Sequence, residues 1–357
     1  MNKPQQRAAD AAPIADFAPP FFLAPEAYPV MPRNSMSTIP TSPSPSAKWR
    51  IKGGDLVLPL FIVAMAVVAG LLQPRFFSLD NLLNLGRQLV PLMIISLGQA
   101  LAIIRGGLDL SLAAVLSLSG VAGVLVMKTY GVPAGIATML LVGAVAGTLS
   151  GFIIAYLRTT PLVVTLGMLS IAQAIALILA GGVPIYDVPA SYVDFVGFKD
   201  FVGIPLMTWI AAAAVAFVWF LLSRTIFGRY VYAIGSNASA ASKSGINVPL
   251  CSMLVYTLSG IFAGLGAVVL TAWVGSAQPV AAPNITLESL AAVVLGGVAL
   301  TGGSGSVWQV FLGVLVLTLL SNMMNMLGLS AYFQTLAVGV VIILAVVLDR
   351  FRRVQRD

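Results

Sequence analysis

The residue types that carry catalysis are scarce in this chain. It has no histidine and a single cysteine, Cys251, among 357 residues. A serine nucleophile therefore has no imidazole to activate it, and a zinc or haem site lacks its usual soft ligands. The glycine-rich stretch 301–306 has no lysine, so it is not a phosphate-binding P-loop. The sequence predicts no enzyme, no metal site and no directly bound cofactor.

Two acidic residues adjoin apolar segments, and each has two interpretations. A charge within lipid costs about 2.5–3.5 kcal/mol on insertion scales, so Asp109 and Glu288 are candidates for a polar pathway or a gating contact. Asp109 is also placed to cap the helix that follows it, or to pair with Arg105. Glu288 is equally suited to be a first-turn carboxylate favoured by the helix dipole.

The composition is that of a membrane protein. Hydrophobic residues make up 59% of the chain and charged residues 9%, against about 25% charged residues in soluble domains. The apolar runs are nearly continuous and about twenty residues long, which is the length of a helix that crosses the bilayer. They do not alternate as barrel strands do. The predicted fold is an all-α integral membrane protein with about ten transmembrane helices.

The predicted spans follow one another closely. The second and third are separated only by residues 106–109, so the pair can also be interpreted as one interrupted helix. The eighth span is short. The spans are 56–73, 88–105, 110–127, 132–157, 161–181, 205–223, 250–274, 286–300, 306–326 and 331–349.

Lysine and arginine predict the orientation, because cytoplasmic loops carry an excess of both. With the N-terminus inside, most basic residues fall on the inner side: Lys48, Arg50, Lys52, Arg105, Arg158, Arg224, Arg229, Lys243, Arg350, Arg352, Arg353 and Arg356. Few fall outside: Arg75, Arg87, Lys128 and Lys199. Both termini are therefore predicted to be cytoplasmic. The net charge of +7 belongs to this pattern and does not indicate nucleic-acid binding.

The chain divides into a membrane domain and two tails. Residues 1–47 are rich in Pro, Ser and Ala and predict a disordered cytoplasmic tail. Residues 48–350 form the transmembrane domain, and 351–357 form a basic cytoplasmic tail. Within the domain, 182–204 is the main external loop and 224–249 the longest internal cytoplasmic loop.

The cytoplasmic loop predicts a short helix outside the membrane. Ser236 or Asn237 caps its start, the Ala/Ser run forms about two turns, and Gly245 supplies the left-handed position after its end. Small side chains suit docking into a groove on another protein. An ordinary connecting loop is the alternative.

Paired glycines interrupt the spans near the cytoplasmic side, at 106–107, 296–297 and 302–303. Broken hydrophobic segments in two halves of a chain are typical of transport sites.

Four ordered sequence blocks resemble one family. The loop reads T-x-F-G-R-x-x-Y-A-I-G-x-N, then A-A and S-G-I-N, and resembles the cytoplasmic coupling segment of ribose-type ABC sugar permeases. The stretches 106–111, 165–168 after Pro161, and 291–297 with 302–306 resemble further blocks of that family. The resemblance covers about residues 50–350.

Three positions depart from the family pattern. Arg105 stands where a small polar residue is usual before the glycines, residues 285–288 carry one acid of the family's acidic run, and Ser150-Gly151 replaces its Asn-Gly. These departures leave the choice of sugar open.

The resemblance implies a function and a set of partners. It implies the permease subunit of an ATP-driven importer in the bacterial inner membrane, passing a monosaccharide such as ribose, xylose or galactose. A periplasmic sugar-binding protein delivers the solute, and ATP binds a separate ATP-binding subunit. The permease is expected to be a homodimer surrounded by lipid. A permease for branched-chain amino acids or another small polar solute, and an ion-coupled secondary transporter, remain alternatives.

The candidate site residues form two groups. The expected contacts to the ATPase are Gly228, Arg229, Gly235, Ser236, Asn237, Ala240, Ala241, Gly245, Ile246 and Asn247. The expected pathway or gating residues are Gly106, Gly107, Asp109, Ser111, Thr165, Glu288, Gly296 and Gly297.

Overall fold

Apolar helices dominate the described part of the chain. The computed structural model describes residues 56–330, 332–341 and 343, so the predicted tails 1–47 and 351–357 lie outside the described residues. Among those described, seven helices are long and apolar enough to cross a membrane. The predicted all-α membrane fold is confirmed, whereas the number of crossings stays a prediction.

The helices follow the predicted segments in order. They are α1 Val57–Leu72, α2 Leu79–Ile104, α3 Leu112–Tyr130, α4 Val132–Tyr156, α5 Pro161–Ala180, α6 Ala190–Tyr192, α7 Leu206–Arg224, α8 Ile226–Ser236, α9 Ala238–Lys243, α10 Val248–Val274, α11 Ile285–Leu295, α12 Val307–Met326 and α13 Tyr332–Val341. The long apolar helices are α2, α3, α4, α5, α7, α10 and α12, while α1, α11 and α13 are shorter apolar helices.

The predicted external loop is more ordered than its sequence indicates. After α6, a π-helical turn covers Val193–Phe198, and strands β1 Asp200–Phe201 and β2 Ile204–Pro205 form an antiparallel hairpin. An isolated bridge joins Ile185 to Ala277. These short elements were not predicted, because two-residue strands leave no alternation to detect.

Two predicted span boundaries are wrong. α2 begins at Leu79, nine residues before the predicted start at 88, because Ser78 caps it by accepting from the N–H of Asn81. Polar residues in its first turns dilute the apolar signal. α11 ends at Leu295, so the predicted segment 286–300 is helical only in its first part.

α2 lies at the centre of the described fold. Within an apolar stretch of 18 residues taken from each long helix, 83% of the residues are buried in α2, against 17% in α5 and 28% in α7. α2 packs against α7, α10, α11 and α12. The peripheral helices expose apolar side chains, as expected of surfaces that face lipid or a membrane partner.

α4 and α10 pack more extensively against each other than any other pair of described helices, and glycines make their close approach possible. Gly143, Gly147 and Gly151 are four residues apart on one face of α4; the first two meet Gly260 of α10, and Gly151 meets Met253. A Cβ built on Gly147 would overlap the carbonyl oxygen of Tyr256. Backbones this close give van der Waals packing, which stabilises helix pairs in membranes where the hydrophobic effect does not.

A matched pair of glycine substitutions tests this packing. We expect Gly147→Ala to lower the thermal stability of the detergent-solubilised protein, since overpacking costs about 1–3 kcal/mol. Gly167→Ala on α5 is the control, because a Cβ there would meet no atom within 4 Å. The measurement is the temperature at which the monodisperse peak is lost in size-exclusion chromatography. Equal melting of the two variants would contradict the packing argument.

Candidate functional site

Gly228 fixes α8 against the end of α7. Thr225 caps α8 by accepting from the N–H of Gly228 at 3.1 Å, and its hydroxyl donates to the Leu221 carbonyl. A Cβ built on Gly228 would lie 2.5 Å from the Leu221 oxygen and even closer to that of Leu222. Only glycine allows α8 to turn so sharply away from α7. The eleven-residue helix α8 was missed by the sequence analysis, which predicted one short helix in this loop.

The predicted short helix is confirmed as α9. The Asn237 side chain caps it by accepting from the N–H of Ala240 at 2.9 Å. At its end, the N–H of Gly245 donates to Ser242 and that of Ile246 to Ala241, while Gly245 has φ +85°. This pairing of bonds is the Schellman motif, which requires a left-handed residue.

α9 presents a surface of small side chains. Ala241 is buried and anchors the helix, whereas Ala240 faces outward. The exposed predicted coupling residues are Arg229, Ser236, Asn237, Ala240, Gly245 and Asn247. Asn247 also caps α10 by accepting from the N–H of Leu250 at 3.1 Å, so α9 is joined to α10 through a short ordered turn.

Three chain breaks meet where α8 ends. The carbonyl of Ile104, the last residue of α2, accepts from the N–H of Gly303 at 2.8 Å. A Cβ built on Gly235 would overlap both the Ile104 oxygen and the Gly303 nitrogen, and one on Gly302 would lie 2.8 Å from the Cα of Gly106. The end of α8, the α2–α3 break and the α11–α12 loop therefore form one backbone-to-backbone contact, called the junction below.

Tyr232 adds a side-chain bond to the junction. Its hydroxyl donates to the carbonyl of Gly305 at 2.7 Å. Burial raises the pKa of Tyr232, so the hydroxyl keeps its proton and remains a donor. Tyr232 thus links α8 to the α11–α12 loop.

The α2–α3 break also lies along one face of α10. Nε and Nη2 of Arg105 donate to the Ser252 hydroxyl at 2.9 and 2.7 Å. A Cβ on Gly107 would overlap the hydroxyl oxygen of Tyr256. The spacing of Ser252, Tyr256 and Ser259 places all three on one helical face, called the polar face of α10 below.

Asp109 is the third contact on this face. Its Oδ2 accepts from the Ser259 hydroxyl at 2.7 Å, and its Oδ1 accepts from the N–H and the hydroxyl of Ser111 at 3.0 and 2.6 Å. The predicted role of Asp109 as the helix cap is wrong, because the N-cap of α3 is Ser111 and Asp109 accepts from the N–H of that residue, before the helix begins. The predicted pairing with Arg105 is wrong, because that guanidinium binds Ser252. The carboxylate is 2% exposed and is satisfied by hydrogen bonds.

The remaining pathway candidates make contacts that do not involve Asp109. Thr165 donates to the Pro161 carbonyl of its own helix at 2.9 Å. Glu288 is in the first turn of α11 and partly exposed, in the position of a first-turn carboxylate. Gly296 and Gly297 pack against Gln309 of α12, whose amide donates to the Gly297 carbonyl at 3.3 Å.

The sequence analysis missed the polar face of α10. Ser252, Tyr256 and Ser259 stand in an otherwise apolar helix and carry no motif of their own. Their helical periodicity, at i, i+4 and i+7, was the available signal that α10 packs against something polar.

Comparison with known proteins identifies relatives along most of the chain. Residues 81–346 match the family described as branched-chain amino acid transport system / permease component. The ribose import permease protein RbsC of Escherichia coli K12 is 34% identical over 84% of this chain and 94% of its own length. That of Bacillus subtilis is 38% identical over 82% and 91%. The galactose/methyl galactoside import permease protein MglC of Salmonella typhimurium is 34% identical over 86% and 96%.

No solved structure matches the chain significantly. The family match at residues 81–346 nevertheless covers the junction, the α2–α3 break and the α8–α9 segment. The chain therefore belongs to this family of transport permeases, within its ribose-type ABC sugar permease group.

Proposed function

We propose that this chain is the membrane-spanning subunit of an ATP-driven importer and forms the path for a monosaccharide. Relatives named as ribose and galactose import permeases support the sugar assignment. Two copies of the chain form the path, an external binding protein delivers the sugar, and separate ATP-binding subunits supply the energy. The permease itself performs no catalysis.

The observation that carries this proposal is the junction. In the segment α8–α9, α9 exposes small side chains, and Gly235 of α8 contacts the C-terminal end of the central helix α2 and the α11–α12 loop through the main chain. Movement imposed on α8–α9 from outside the membrane is therefore passed to α2 and the α11–α12 loop. A subunit driven by a separate ATPase requires such a connection.

The same contacts support the proposed topology of ten crossings with both termini in the cytoplasm of a bacterial cell. Three connections that carry predicted cytoplasmic basic residues lie together with the α11–α12 loop, around the junction. A Cβ on Gly107 would lie 3.3 Å from Pro161, at the start of α5, beside the α2–α3 break, α8 and the α11–α12 loop. The hairpin β1–β2 and α8 adjoin opposite ends of α7, which supports an external position for the hairpin, across the membrane from the proposed cytoplasmic α8.

The mechanism we propose is alternating access. Closure of the ATP-binding subunits displaces α9, and the short turn at Asn247 passes that displacement to α10. The polar face of α10 then carries the α2–α3 break with it, through the bonds of Ser252 to Arg105 and of Ser259 to Asp109. Asp109 acts in this scheme as a positioning residue.

A second candidate solute is a branched-chain amino acid, because the matched family carries that description. An ion-coupled carrier is a further alternative, which requires an ionisable group in the path. Asp109 is enclosed by Ser111 and Ser259 within one copy of the chain. Uptake that requires ATP and persists with an uncoupler would separate an ABC permease from that carrier.

Co-purification from the native membrane tests the partner. We expect mild detergent to recover an ATP-binding subunit with the tagged chain, and Ala240→Trp to abolish that recovery because the indole fills the contact surface of α9. Ala190→Trp, also at an exposed position but in α6, which precedes α7 in the chain, should retain it. The measurement is mass spectrometry of the purified complex.

Recovery of the ATPase with both variants would show that α9 is not its contact. Recovery of the chain alone, in a form that transports solute without ATP, would overturn the importer assignment.

A conservative substitution tests the link through Tyr232. We expect Tyr232→Phe to leave the ATPase bound but to reduce sugar-stimulated ATP hydrolysis about fivefold, because one hydrogen bond contributes about 1 kcal/mol. Tyr230→Phe is the matched control, since that side chain is 40% exposed. The assay compares stimulated with basal hydrolysis in liposomes. An unchanged stimulation ratio would remove Tyr232 from the coupling path.

Two substitutions of Asp109 distinguish a hydrogen-bond acceptor from a required charge. An Asn oxygen can still accept from the N–H of Ser111 and its amide can donate to Ser259, so we expect Asp109→Asn to keep most of the uptake. Asp109→Ala leaves the Ser111 N–H without its acceptor and should reduce thermal stability and uptake together. Equal loss of uptake in both variants, with stability kept by Asp109→Asn, would instead assign a role to the charge.

A further inference from the structure

The loop after α6 exposes a group of large apolar side chains. Phe195 and Phe198 point outward from the π-helical turn, and Phe201 and Val202 do so from the β1–β2 hairpin. Each is at least half exposed, and Val202 is 81% exposed. These four residues are called the hairpin patch below. Contiguous apolar surface of this kind is unusual on a loop that faces water.

The patch is held in place by the fold. The buried hydroxyl of Tyr192 donates to the Val268 carbonyl of α10, and a Cβ on Gly197 would lie 2.6 Å from the Ala272 oxygen. The N–H of Leu206 donates to the Lys199 carbonyl at 2.8 Å. Since the loop is fixed from both ends, its aromatic side chains are presented outward by ordered backbone.

The tip of the hairpin uses a residue that its backbone disfavours. Val202 has φ +56° and Gly203 has φ +74°, the positive pair that a two-residue hairpin turn requires. Asn, Asp or Gly adopts the first of these positions with less strain than a β-branched residue. Within the described residues, nothing buries the valine side chain in exchange, so the turn itself does not account for an apolar residue there.

The patch is continuous with the exposed apolar side of α7. The Phe201 ring packs edge-on against Trp209, with centroids 6.2 Å apart, and the indole N–H donates to the Phe201 carbonyl at 3.2 Å. Below Trp209, Phe217 and Phe220 extend the exposed apolar surface along the helix.

Two residues that flank the patch, Lys199 and Trp209, are of types found at the bilayer interface. The ammonium group of Lys199 lies 4.7 Å from the centroid of the Phe195 ring. Tryptophan at the end of a span, with lysine beside an aromatic ring, is the arrangement found where acyl chains meet headgroups.

We propose that the hairpin patch inserts into the interfacial layer of the lipid bilayer beside the start of α7. The occupant of this surface is lipid, with acyl chains against Phe198, Phe201 and Val202 and headgroup phosphates near Lys199. The loop thereby ties the external end of α7 to the membrane surface. The proposal requires only that the chain spans a membrane and is independent of the transported solute.

Site-specific fluorescence in nanodiscs tests this proposal on the full chain. Cys251→Ala removes the one native thiol, and Val202→Cys or Phe198→Cys then carries an environment-sensitive NBD label. Phe217→Cys on α7 is the lipid-facing control, and Ser239→Cys on α9 is the water-facing control, both at exposed positions. Each labelled variant is first checked for a monodisperse size-exclusion peak, and two patch positions are used so that one misfolded variant does not decide the result.

We expect the labels at Val202 and Phe198 to show blue-shifted emission that lipids brominated on their acyl chains quench, as at Phe217. Aqueous iodide should quench only the label at Ser239. Iodide quenching of the patch labels without bromolipid quenching would overturn the proposal. The proposal would also be overturned if the patch labels were shielded from iodide only after the soluble binding protein is added, because that result indicates protein docking. Shielding from iodide without bromolipid quenching would overturn it in favour of contact with a second copy of the chain.

Discussion

In a bilayer the main-chain N–H and C=O groups of a protein must find partners within the protein itself. This constraint decides where the helices of this chain can be interrupted. The α2–α3 break is tolerated because the Ile104 carbonyl accepts from Gly303 and because the Asp109 carboxylate accepts from the Ser111 N–H. The α11–α12 loop is satisfied in part by the same contact and by Tyr232. Each interruption supplies hydrogen-bond partners for another, so the interruptions lie next to one another in the fold.

Glycine makes these mutual contacts close enough to bond. At the junction, Gly235, Gly302 and Gly303 let three backbones meet without an intervening side chain. The same device joins α4 to α10 through Gly147 and Gly260. As a consequence α10 is fixed on one side by α4 and on another by the α2–α3 break, so a displacement of α10 cannot remain local. The function proposed for the permease depends on this property.

The sequence predicts the parts of this arrangement that are governed by local rules. The apolar runs located the long helices, and Asn237 with Gly245 located α9, because caps act within a few residues.

The sequence did not predict the partner of Asp109, since Ser259 lies 150 residues further along the chain and has no local signature. Arg105 was assigned to its neighbour in sequence, whereas it binds Ser252 on α10. α8 was missed because it is held by the junction and by α7 rather than by a strong apolar run. The resemblance to permeases supplied the proposed coupling residues, and packing decides which of them are exposed.

The central position of α2 has a consequence for biosynthesis. The helix is made early, yet α7, α10, α11 and α12, against which it packs, follow it in the chain. α2 carries Ser96 and Gln99, both fully enclosed in the finished fold. Until the later helices are inserted, these polar side chains face lipid or the insertion machinery. The nascent chain therefore passes through an interval in which the most enclosed of its long described helices lacks the helices that enclose it.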